Sequence, residues 1–96
     1  MARLQRTLDA RNDLTAIWLY IAQDNVAAAD RLIHEIDCAL VRILSFPQMG
    51  EAVDHLRLGV RRITVGNYQL FYESSSDCIR LLRVYHAARR IEDLFN

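Results

Sequence analysis

A chain of 96 residues that is 52% hydrophobic has room for one packed core and is too apolar to stay disordered. Its 12 basic residues, all Arg, are cancelled by 12 Asp and Glu, which excludes the strongly basic balance of a dedicated nucleic-acid binder. No apolar run approaches the roughly 20 residues needed to cross a bilayer, and Met1 to Arg6 has no apolar signal region, so a cytoplasmic protein without a membrane partner is expected.

The charge is unevenly placed. Residues 1–55 hold five Arg against eight acids, a balance of −3, and residues 56–96 hold seven Arg against four acids, a balance of +3. Arg suits bidentate contacts to carboxylate or phosphate better than Lys. A half-chain at +3 is not enough to predict sequence-specific nucleic-acid binding. Cys38 and Cys78 are too few and too far apart for a disulfide framework. Both are expected as reduced thiols packed like small apolar groups, with no metal and no cofactor.

In chain order, residues 3–8 alternate, with Leu4 and Leu8 on one face, and predict a short strand. Asp9 is the expected N-cap of a first helix. Its stripe is Ala10, Leu14, Ile17 and Ile21, it ends near Gln23, and Trp18 lies at the stripe's edge. Asp24-Asn25 offers a second cap. A longer stripe, Ala29, Leu32, Ile36, Leu40 and Ile43, runs to Ser45-Phe46, just before Pro47. Two helices joined by so short a break predict an antiparallel helical hairpin. Residues 47–59 hold the only Pro and two of the three Gly and form the main loop. Val60 to Val65 predicts a strand, with Arg61 and Ile63 on one face and Arg62 and Thr64 on the other. Gly66-Asn67 is a tight-turn pair. Then follow an aromatic run, Tyr68-Gln69-Leu70-Phe71-Tyr72-Glu73, the polar turn Ser74 to Asp77, and a last strand, Ile79 to Tyr85. Ala87 to Asn96 is a short terminal helix or docked tail.

The fold class is therefore α+β: a short N-terminal strand, an antiparallel helical hairpin, a three-stranded antiparallel β-meander and a short C-terminal tail or helix, all in a single domain over 1–96. Strict alternation along the last strand puts Leu82 and Val84 on one face, and Ile79, Leu81, Arg83 and Tyr85 on the other. A sheet apolar on both faces needs cover on both. The helices cover one. The tail or another protein is expected to cover the second.

For catalysis, the late strands gather Arg61, Arg62, Gln69, Arg83, His86, Arg89 and Arg90 with Tyr68, Tyr72 and Tyr85. A metal-free nuclease needs a general base, a general acid and cations for the developing phosphorane charge. His86 could serve as acid or base and the arginines as cations, but no second His or Lys stands beside it in sequence. His34 and His55 read as surface or packing residues. The chain has no phosphate-cradling Gly loop, no nucleophile elbow and no paired carboxylates at helical spacing.

Several segments, in order, resemble the RelE/ParE toxins of type II toxin–antitoxin systems, and the ParE branch most closely. Asp13-Leu14 followed by Ile17 to Ala22 resembles the first helix of that branch, and Ala27 to Ile33 its second. Phe46-Pro47-Gln48-Met49-Gly50 and Gly59-Val60-Arg61-Arg62 resemble its loop and the lead into its middle strand. Ile79-Arg80-Leu81-Leu82-Arg83-Val84-Tyr85-His86 with Arg89 resembles its closing strand. The resemblance spans nearly the whole chain. It implies a cytoplasmic growth-arrest or plasmid-stabilisation toxin neutralised by a cognate antitoxin, with DNA gyrase as target and no catalytic residue. Relatives that cleave ribosome-bound messenger RNA carry Arg where this chain has Gln69, and a tail tyrosine where it has Phe95.

On this basis Arg83, His86, Arg89 and Arg90 are the expected target-binding residues. Ile79, Leu81, Tyr85 and Phe95 are the expected antitoxin-binding residues. The alternative, a ribosome-dependent ribonuclease, would rest on Arg61, Arg83 and His86. A further alternative is a degenerate toxin kept for antitoxin binding and operon co-repression.

Overall fold

The computed structural model describes residues 3–89. In chain order these are β1 (Arg3–Arg6), α1 (Leu8–Ala22), α2 (Val26–Ser45), β2 (Glu51–Ala52), β3 (Val60–Val65), β4 (Tyr68–Ser74) and β5 (Cys78–His86). The strands form one five-stranded sheet in the order β1-β5-β4-β3-β2. β3, β4 and β5 are the expected antiparallel meander. β1 lies parallel to β5, Arg3 opposite Cys78 and Arg6 opposite Leu81. β2, inside what reads as loop, pairs antiparallel with Arg61 and Arg62 of β3.

Local chemistry sets the helix ends. Thr7, not Asp9, caps α1: its hydroxyl accepts the Ala10 N–H at 3.1 Å. Thr7 also closes the sheet edge, its N–H bonding the Leu81 carbonyl and its hydroxyl the Leu82 carbonyl. Asp9 instead sits in the first turn, where a carboxylate complements the helix dipole. Asn25 caps α2 through the Ala28 N–H at 3.0 Å. The α2 stripe is buried as its spacing predicts: Ala29, Ile36, Leu40 and Ile43 are inaccessible and Leu32 packs against them. Trp18 belongs to neither core cluster; its indole N–H donates to Asp30 Oδ1 at 2.8 Å, tying α1 to α2. Cys38 is exposed and Cys78 half-buried, so neither thiol is the fully packed small apolar group expected.

Gly66 has φ +57° and Val65 pairs with Tyr68, so Gly66-Asn67 is a two-residue hairpin loop with the positive dihedral at its first position. Gly50 is needed for closeness. A Cβ there would lie 2.6 Å from Tyr72 Oη. The bare backbone instead lets Gly50 N–H donate to that hydroxyl at 3.0 Å, while the hydroxyl donates to the Pro47 carbonyl at 2.8 Å.

The last strand departs from strict alternation. Phe71 pairs with Arg83 and Tyr72 with Leu81, so Leu82 is an extra residue, a β-bulge. The bulge resets the faces. Ile79, Leu81 and Val84 enter the helix-side cluster, whereas Leu82 joins the other cluster with Tyr85 packed against it. The expected grouping of Ile79 and Leu81 with Arg83 and Tyr85 is thereby corrected: Ile79 is 1% exposed and Leu81 0%, both packed on the helix-side core.

The second face also has a cover the sequence did not suggest. Val53 N–H bonds the Val60 carbonyl, and the segment between them folds back on itself. Val53 and Leu56 pack there with Val60, Phe71, Leu82 and Tyr85. The main loop thus supplies apolar cover that was expected from the tail or a partner. Beyond Arg89 the expected tail or helix, with Arg90 and Phe95, lies outside the described residues.

Candidate partner-binding site

β1 ends opposite Leu81, so β5 from Leu82 to His86 has an open edge. Two side chains close part of it, Thr7 at Leu82 and Asp13 at Val84. Asp13 Oδ2 accepts the Val84 N–H at 3.0 Å and Arg83 Nε–H at 2.8 Å, and Oδ1 accepts Arg83 Nη2–H at 3.1 Å. The fork is bidentate and partly buried, with side-chain exposures of 24% for Arg83 and 15% for Asp13. The hydrogen bonds it donates to Asp13, followed by burial acting in opposition, leave the Arg83 guanidinium more firmly protonated than usual.

Beyond this clamp, α1 and β5 diverge around a groove of ≈ 360 Å³. Asp13, Ala16, Ile17 and Tyr20 line it from α1, and Tyr68, Val84, Tyr85, His86 and Arg89 from the sheet. Its floor is apolar and its far rim cationic. The Arg83 guanidinium lies 4.9 Å from the Tyr85 ring centroid and that of Arg89 4.5 Å, so one ring carries two cations. His86 packs edge-on against Tyr68 at 5.2 Å, and its Nδ1 accepts the Ala88 N–H at 3.1 Å. The Ala87 N–H bonds the Asn67 carbonyl, and the Arg89 N–H the His86 carbonyl. These bonds hold the turn after β5 against the β3–β4 hairpin. Burial raises the Tyr68 hydroxyl above the ordinary tyrosine range.

The expected target-binding residues Arg83, His86 and Arg89 therefore do meet at one end of the sheet, with Arg83 committed to Asp13. Of the expected antitoxin-binding residues, Tyr85 lines the groove, and Ile79 and Leu81 lie beneath the helices. The alternative nuclease set is not assembled. Arg61 points to the helix side, where Nη1–H donates to the Gly50 carbonyl at 2.7 Å, and Arg83 lies on the other face. Arg62 is likewise engaged, by Gln69 Oε1 at 3.1 Å and Glu51 Oε2 at 2.7 Å, and this bond holds the Glu51 carboxyl below its usual range. Gln69 is 8% exposed, a buried polar side chain satisfied by Arg62.

The sequence did not reveal the partners that α1 contributes. Asp13 stands 70 residues from Arg83. Its only signal was its place in the helix motif. Ala16 and Tyr20 lie off the buried stripe, and Tyr20 is 73% exposed. No group of three or more His, Cys, Asp or Glu converges among the described residues, and no described helix is long and apolar enough to span a membrane.

A helical hairpin on a five-stranded sheet, with a largely apolar groove at its open edge, defines a small α+β protein of the RelE/ParE class. The chain belongs to the family described as ParE toxin of type II toxin-antitoxin system, parDE, whose model matches residues 4–91. It is the toxin component of such a system. It is similar to Toxin ParE3 of Caulobacter vibrioides, 27% identical over 85 residues, covering 88% of this chain and 85% of that one. Toxin ParE1 of the same organism is 32% identical over 78 residues, 80% of each chain. Among solved structures, one described as the chromosomal ParDE TA system from P. aeruginosa superposes with a TM-score of 0.74 at 21% identity, covering 90% of this chain and 96% of that one. At that identity the likeness bears on the fold.

Proposed function

We propose that this toxin acts by binding DNA gyrase rather than by cutting RNA, with Tyr85, His86 and Arg89 as the contact surface, and that a segment of its cognate antitoxin lies in the groove between α1 and β5. The observation that carries this reading is the Tyr85 ring in contact with two guanidinium groups, those of Arg83 and Arg89. Tyr and Arg anchors on a preorganised surface are what protein–protein hot spots are built from. Arg89 is exposed and free to meet an acidic surface, whereas Arg83 fixes the ring and is itself fixed by Asp13.

The groove suits an antitoxin segment with an apolar side chain for the floor of Ile17 and Val84 and a carboxylate for Arg89. In a ribonuclease, free cations would converge on one phosphate. Here Arg61 and Arg83 lie on opposite faces, each committed to an internal acceptor. A gyrase supercoiling assay run beside a ribosome-dependent messenger RNA cleavage assay tests the proposal. Inhibition of supercoiling without new 5′ ends on the message supports it; new 5′ ends with normal supercoiling would replace it with the nuclease reading.

A further inference from the structure

We propose that the antitoxin segment in the α1–β5 groove binds as one more strand of the sheet, extended and parallel to β5, with one of its residues opposite Tyr85. The occupant rests on the function proposed above; its shape and direction follow from the backbone. In an antiparallel ladder, residues alternately exchange both backbone bonds with the neighbouring strand and turn both away. The Val84 N–H turns away from β4, since it meets Asp13 on α1. The Val84 carbonyl therefore points the same way, and so does the N–H of His86, two residues on. The Ala87 N–H, in the alternate set, reaches the Asn67 carbonyl after β3 instead. β1 stops at Arg6, opposite Leu81, and does not extend to these two groups. Among the described residues, no bond from outside the β4–β5 ladder reaches either of them. An open pair of backbone groups beside a groove is a template for an added strand.

The groups already engaged set the direction. An antiparallel partner would exchange two bonds with Val84 or with His86. At Val84 the N–H is held by Asp13 Oδ2 at 3.0 Å. At His86 the carbonyl already accepts the Arg89 N–H at 3.0 Å. A parallel partner needs neither group. Its residue opposite Tyr85 donates its N–H to the Val84 carbonyl and accepts the His86 N–H at its own carbonyl. β1 runs in the same parallel sense on the same edge. The side chains follow from the pleat. The residue opposite Tyr85 shares the face of that ring and of the Arg89 guanidinium over it, which suits an acid. The residues before and after it take the face of Val84, where Ala16 and Ile17 line the groove, which suits apolar side chains. The occupant is thus an apolar–acidic–apolar stretch.

The test uses the full-length toxin, alone and in complex with its cognate antitoxin, followed by NMR. The expected result is that amide hydrogen exchange at His86 slows by about tenfold or more in the complex, as the N–H passes from solvent into the sheet. Couplings across the hydrogen bonds then link the His86 nitrogen to the carbonyl of one antitoxin residue, and the nitrogen of that same residue to the Val84 carbonyl. The Ile17 and Val84 methyl shifts report separately whether the groove is filled. Shifted methyls with unchanged His86 exchange overturn the added strand and leave the antitoxin in the groove. Couplings in which one antitoxin residue exchanges both bonds with His86 overturn the parallel direction. Unmoved methyls with unchanged exchange overturn both the strand and the groove as the antitoxin's site.

Discussion

Asp13 and Arg83 hold the open end of β5 to α1, and one carboxylate serves a guanidinium and a backbone amide at once. Arg83 Nε–H and the Val84 N–H both reach Asp13 Oδ2, at 2.8 and 3.0 Å. An internal partner for Arg83 at Glu73 or Asp77 would have been the local choice. Glu73 instead pairs with Arg80 at 3.5 Å, and Asp77 gives its carbonyl to the Arg3 N–H.

Unequal costs follow for the two halves of this clamp. Asp13→Ala strands both the Val84 N–H and the Arg83 charge and should cost about 2–3 kcal/mol. Arg83→Ala leaves Asp13 with the amide and some solvent contact and should cost about 1–2 kcal/mol. Urea denaturation of the two variants checks the order, and a larger loss for Arg83→Ala would contradict it.

Tyr72 and Gly50 form a second point of dependence. Tyr72→Phe removes a donor to Pro47 and an acceptor for Gly50 and should cost about 1–3 kcal/mol. Gly50→Ala drives a Cβ into the same hydroxyl. The two changes share one contact, so the double variant should lose less than the two single losses combined. Chemical denaturation of all three variants measures the coupling.

Alkaline pH should expose the same residue. Burial raises the Tyr72 hydroxyl above the ordinary tyrosine value of 10.0, with the Gly50 bond and Arg61 acting in opposition, and burial raises Tyr68 in the same direction. A group whose folded pKa is raised contributes stability that is fully present below the unfolded value and is lost as pH rises through the folded one. Stability should therefore hold from neutrality to about pH 9.5 and fall above about pH 10. Thermal melts across that range should show a shallower decline in Tyr72→Phe.

Trp18 should matter less to stability than its size suggests. It lies outside both core clusters and is held by one hydrogen bond to Asp30. Trp18→Phe should cost no more than about 1.5 kcal/mol, well short of the roughly 3–5 kcal/mol expected for Tyr72→Ala. Equal losses in guanidinium melts would place Trp18 in the core after all.

At the proposed gyrase surface, Tyr85→Ala and Arg89→Glu should each weaken inhibition by about tenfold or more, the scale of a hot-spot residue. Arg89→Glu should change stability by less than about 0.5 kcal/mol, because its side chain is exposed. Inhibition by the wild type should also fall as ionic strength rises. An Arg89→Glu protein that melts normally and inhibits like the wild type would remove this residue from the contact.

Both helices, the β3–β4–β5 meander and the family were legible in the residues. The reason is local: apolar spacing, the Asn25 cap, the Gly66-Asn67 turn and the order of short motifs act between neighbours a few positions apart. The tertiary structure alone decided which faces the residues of β5 occupy. The extra residue at Leu82 reverses the alternation of β5 and sends Ile79, Leu81 and Val84 beneath the helices, because a bulge is selected by pairing across strands and leaves no periodic trace. The cover over Phe71 comes from Val53 and Leu56, apolar residues in a segment whose Pro and Gly mark it as loop. The partnership of Asp13 with Arg83, 70 residues apart, arises where β1 stops at Arg6, opposite Leu81, and leaves the Val84 amide for a carboxylate on α1 to satisfy.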